Sequence, residues 1–142
     1  MSDPRAVVVV DGINGEYATL AIDNSTITYD ATKVGGSAQV GLAVTFSAVN
    51  TVGLVGDGEA VVGKLLKAES DNFALVQIGG GMTLPGGTSA TLTPGKKIVG
   101  DLLVAAEGYI REVATATAAE LGLARGFIVD GTTDTAAVAV IL

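Results

Sequence analysis

The chain has 142 residues, 49% of them hydrophobic, and carries 15 acidic against eight basic side chains for a formal net charge of −7. That length holds one domain, or one domain with an arm. The few, scattered Lys and Arg exclude the basic stripe that nucleic acid or an anionic membrane surface requires. With neither Cys nor His present, disulfides, thiolate and imidazole metal ligands, and Ser-His or Cys-His nucleophiles are excluded as well.

No run approaches the roughly 20 apolar residues that cross a bilayer. The apolar excess therefore points to surface covered by other subunits. Val, Ala, Gly and Thr dominate, there is no Trp, and the 20 glycines act as frequent punctuation. Small and β-branched residues between glycines suit short, closely packed strands better than long helices.

In chain order, Met1 to Arg5 read as a lead without the layout of a signal peptide, and synthesis in the cytoplasm is expected. Val7, Val8, Val9 and Val10 form a run too short for a helix. It reads as a buried strand, or as an arm that adds to a neighbouring subunit's sheet edge. Residues 1–15 are thus an N-terminal arm or first strand, and 16–142 a single β-domain. After the turn Asp11 to Gly15, Tyr17 to Ile22 alternate as a half-buried strand, and Thr26 to Tyr29 is another short strand candidate. Asp30 to Gly41 reads as a loop, Leu42 to Phe46 and Val52 to Val55 as strands.

The stretch from Thr51 to Val113 reads as one β-unit written twice. Val62-Gly63-Lys64-Leu65-Leu66-Lys67-Ala68 is followed by a polar turn, Phe73 and an apolar return. Val99-Gly100-Asp101-Leu102-Leu103-Val104-Ala105 is followed by Glu107-Gly108, Tyr109 and a second return. Each copy has the grammar of a hairpin. Between them, Gly79 to Gly87 reads as a glycine-flanked loop. Its Met82 and Leu84 are either tucked into the core or offered to a partner. Thr115 to Ala124 is the one helix expected, capped by Thr115 or Thr117. Phe127 to Val129 and Ala136 to Leu142 close the chain, the last apolar on both faces and so central or covered. Nine or ten short strands predict a mainly β fold: a compact barrel or sandwich with one short helix and an extended N-terminal arm.

No carboxylate pair is marked by spacing as a general acid and base, and the Asp residues mostly adjoin Gly or Asn as turn formers. Gly58 to Lys64 has the glycine spacing and lysine of a phosphate-binding loop. However, Leu65 stands where Ser or Thr should hold magnesium, and Lys64-Leu65-Leu66 continues a strand where a helix is needed. Lys64 is therefore read as a strand residue. The chain is read as a non-enzyme without catalytic, cofactor or metal residues.

Four stretches carry a resemblance: Val52 to Glu69, Thr-Leu-Pro-Gly-Gly at 83–87, Pro94 to Leu103 and Ala124 to Gly131. Through them the segment from about Val52 onward resembles the head-decoration, or capsid cement, proteins of tailed bacteriophages. The resemblance implies a structural virion protein bound in many copies to the exterior of a filled head, bridging neighbouring major capsid subunits, often as a homotrimer. It implies no catalytic residues. Val7 to Val10 with Met82, Leu84 and Pro85 are then the expected contacts to the shell or to other copies. The acidic charge disfavours contact with packaged DNA, and no membrane partner is expected. The alternative is a small β-domain of a phage tail, fibre or bacterial surface assembly that binds a receptor or sugar.

Overall fold

The structure, a computed structural model, describes residues 15–88, 92–113, 118–130 and 137–142. It is mainly β, with ten strands, one short helix and one 3-10 turn among those residues. Strands β1 (Glu16–Ile22), β2 (Ala43–Ala48), β3 (Thr51–Leu54), β4 (Gly63–Ala68) and β5 (Phe73–Gly79) close into a barrel in the order β1-β3-β2-β4-β5. β5 returns to pair with β1, and only the β1–β3 contact is parallel.

The second half builds the same ring again. It comprises β6 (Gly81–Pro85), β7 (Ile98–Leu103), β8 (Ala106–Glu112), helix α1 (Ala118–Leu123), β9 (Phe127–Asp130) and β10 (Ala137–Ile141). β10 lies between β6 and β9, and β7 pairs with β8. Two single bridges join these sheets, a parallel one from Gly86 to Ile110 and an antiparallel one from Ile98 to Arg125 just before β9. The resulting order, β6-β8-β7-β9-β10, repeats the first ring strand for strand, including its one parallel neighbour. The β2–β3 and β7–β8 hairpins also share a tight connection, Val49-Asn50 in one and Val104-Ala105 in the other. Gly80 alone separates the rings, at a φ of 85°. Across it the amide of the buried Gln77 donates to the carbonyls of Gly79 and Gly81.

Alternation along each strand sorts the side chains into two cores. Ile22, Ile27, Val44, Val52, Leu65, Ala74 and Val76 fill the first ring. Met82, Leu84, Leu92, Ile98, Ile110, Ile128 and Val140 fill the second, joined by Ala43, Val55 and Val61 from the first. Those three shared residues make the rings one packed body. Each fully buried Leu, Ile or Met contributes on the order of 1.5–3 kcal/mol.

Several readings of the sequence are corrected by these elements. Gly81 to Pro85 is a strand and not a loop excursion, because it supplies the antiparallel neighbour of β10. Thr26 to Tyr29 forms no strand. Thr26 is instead taken into a turn organised by Asp23, whose carboxylate receives Ser25, Thr26 and Ile27 amides and the Thr26 hydroxyl. Both copies of the repeated unit are hairpins, as expected. The second turns at Val104-Ala105, three residues earlier than Gly108. Nor are the two copies equivalent in the duplicated topology, where β4–β5 corresponds to β9–β10 and β7–β8 to β2–β3. Their common Val-Gly records a common need: a Cβ at Gly63 would run into the carbonyl of Gln77, and one at Gly100 into that of Gly56. The C-terminal strand β10 is central, as its two apolar faces predict.

Candidate functional site

Met82 and Leu84 have no exposed surface and belong to the second core. Of the two readings of that stretch, the core one is what the fold realises, and the two side chains have nothing to offer a partner. Pro85 is half-buried at the end of β6. Val7, Val8, Val9 and Val10 lie outside the described residues. Of the contact residues expected from the sequence, Met82 and Leu84 are thus core residues and Pro85 alone reaches the surface among the described residues.

A different surface stands out. Ala74 and Val76 of β5 point into the first core, which turns Phe73 and Leu75 outward. On β1, Thr19 lies opposite Leu75 and Ala21 opposite Phe73, with Tyr17 two residues further on the same face. Tyr17 is 53% exposed, Phe73 44% and Leu75 37%. At one end of the strip the Asn50 carbonyl of the β2–β3 turn receives the Ala21 amide, and the adjacent Val49 is exposed. On its other flank Lys67 lies opposite Leu75 and pairs with Glu69 at 3.0 Å. The result is an apolar, locally neutral face on an otherwise acidic chain. Period-two alternation over Tyr17 to Ile22 was visible in the sequence, but the aromatic partner across the strand was not, because its register depends on barrel closure.

A second feature is a shallow, open cleft of about 400 Å³ where the rings meet. Leu42 and Leu54 of the first ring form its floor, with Gln39 on one wall and Glu107 and Tyr109 of β8 on the other.

Several other charged side chains have structural partners. Arg111 of β8 forms a two-pronged ion pair with Glu120 of α1, at 3.0 and 2.5 Å, and also reaches Asp57 at 3.1 Å. The Glu120 hydrogen bonds, and then those of Asp57, raise the Arg111 guanidinium above its usual value against a burial penalty. Arg125 donates to the carbonyls of Val62 and Ile78, tying the start of β9 to the first ring. Burial works to raise the Asp23 carboxyl, but its hydrogen bonds prevail and hold it below the ordinary value. Asp101 Oδ2 is buried with no hydrogen-bond partner among the described residues.

Lys64 sits inside β4, opposite Ala43 and Gln77, and no helix begins there. Among the described residues no group of three or more Asp and Glu is placed to hold a metal ion. No helix among them is long and apolar enough to cross a membrane. No protein-family model, no curated protein and no solved structure matches this chain.

Proposed function

We propose that this protein is a structural virion component that binds the outer surface of a tailed-phage capsid in many copies and stabilises the shell by bridging neighbouring major capsid subunits. The observation that carries this reading is the exposed face of Tyr17, Phe73 and Leu75 on the β1–β5 sheet. Contiguous apolar surface on a soluble chain marks a protein contact, and this face is rigid because its backbone belongs to a closed barrel.

The rest of the chemistry is consistent with that role. A −7 chain is repelled by packaged DNA and stays soluble while it waits for the shell. Modest contacts suffice, since copies that each bridge two or more subunits act multivalently. Association into a homotrimer would place three such faces on one particle.

The reading is tested by mixing the purified chain with expanded, DNA-free heads of the phage that encodes it and pelleting the heads. Saturation at a fixed ratio to the major capsid subunit supports it. Failure to pellet with the heads at micromolar concentrations rejects it.

A further inference from the structure

We propose that the cleft between the two rings is a binding site for an extended protein segment carrying an arginine or lysine. The site is distinct from the β1–β5 face and does not depend on the shell-binding reading.

The walls are held in place from both sides. The Gly108 amide donates to the Val55 carbonyl at 2.8 Å, fixing β8 to the first ring. At a φ of 100° Gly108 rests directly on the floor, where a Cβ would come within 2.9 Å of Leu42 and 3.3 Å of Leu54. Only glycine lets β8 approach this closely.

Two polar side chains of the cleft, Thr26 and Gln39, are held in place by hydrogen bonds. Gln39 Oε1 accepts from the Thr28 amide and from the Ser37 hydroxyl, at 3.3 and 2.7 Å. A backbone N–H needs an acceptor, so this bond decides which end of the amide is oxygen, and among the described residues no acceptor meets the NH₂. Glu107 and Tyr109 flank Gly108 on β8, and both line the cleft. Among the described residues neither the Glu107 carboxylate nor the Tyr109 hydroxyl has a partner.

The set specifies the ligand's chemistry. An amide NH₂ and a phenol hydroxyl suit the carbonyls of a main chain. A carboxylate suits a cation, and a leucine floor suits the methylene stem that leads to one. The net charge of −7 draws basic segments and repels acidic ones and nucleic acid. A cleft of about 400 Å³ lies at the small end of ligand sites, room for one long side chain and its flanking peptide groups.

The test is an NMR titration of the ¹⁵N-labelled full chain with the blocked tripeptides Ac-Ala-Arg-Ala-NH₂ and Ac-Ala-Glu-Ala-NH₂. The Gln39 side-chain amide and the Glu107, Gly108 and Tyr109 backbone amides are expected to shift together and saturate with the arginine peptide. Half-saturation is expected on the order of a millimolar, as suits so small a ligand. Glu107→Gln keeps the shape of the wall and should weaken binding about fivefold or more. No shift up to about ten times that concentration, equal response to the glutamate peptide, or unchanged affinity in Glu107→Gln overturns the proposal. So do cleft shifts that depend on protein concentration without peptide, which would assign the cleft to a second copy. Because head binding is read on another face, its success or failure is independent of every one of these outcomes.

Discussion

Arg125 reaches out of the second ring and donates its two terminal nitrogens to carbonyls of the first, Nη1 to Val62 at 2.6 Å and Nη2 to Ile78 at 2.5 Å. Its backbone meanwhile exchanges both hydrogen bonds with Ile98, so one residue closes the second ring and fastens it to its neighbour. Arg125→Ala leaves both carbonyls without this donor. Hydrogen bonds from a charged donor are each worth about 1.5–3 kcal/mol, and a loss of about 3 kcal/mol is expected in urea denaturation. Arg125→Lys should recover only part of it, since an ammonium lacks the planar fork.

The ion pair of Arg111 with Glu120 makes a graded comparison. Both side chains are under one-fifth exposed, whereas Asp57, the other partner of Arg111, is 58% exposed. Glu120→Gln should therefore cost about 1–3 kcal/mol, and Asp57→Asn no more than about 0.5. Thermal unfolding of the two variants beside the parent checks the ordering.

Asp23 sets an acid limit on the first ring. Its folded carboxyl lies below the usual 3.8, so the unfolded chain takes up this proton first as pH falls. The associated stability is present above the unfolded value and is lost as pH drops through the folded one. Urea midpoints measured from pH 6 down to pH 2.5 should fall less steeply for Asp23→Asn than for the parent. An equal or steeper fall would contradict this assignment.

Met82→Ala and Leu84→Ala are expected to cost about 2–5 kcal/mol each, as core truncations do. Leu75→Ser, on the outer face, should stay within about 1 kcal/mol. Denaturant titrations of the three variants separate a strand that is packed from a loop that is displayed.

Local grammar carried most of the strand assignments. Phe73 and Tyr109 each open or lie in the return arm of a hairpin, and period-two alternation placed Tyr17 to Ile22 and the C-terminal strand. Met82 and Leu84 were ambiguous because glycines on both sides look like loop punctuation, and only the pairing of β6 with β10 gives those residues a core. The duplicated ring left little sequence signal. Equivalent positions share burial and not identity, as with Val52 and Ile110, and the connections differ, a long loop after β1 against a shorter one after β6. The face formed by Tyr17, Phe73 and Leu75 was hidden for a related reason: Tyr17 is far from the other two in the chain and joins them only through antiparallel register. The cleft depends on how two rings dock, which no local pattern encodes.

The most direct test is the occupancy of expanded heads by the parent and by Leu75→Lys, measured side by side from pelleted heads across a range of protein concentrations. Leu75 is exposed on a closed barrel, so the variant should keep its fold, which thermal unfolding verifies. Burying an unpaired lysine in the contact should weaken binding at least tenfold, about 1.4 kcal/mol per contact. Parent binding that saturates together with a shifted or absent isotherm for Leu75→Lys is the predicted result. Equal occupancy by the two proteins, or no binding by the parent, would contradict the account.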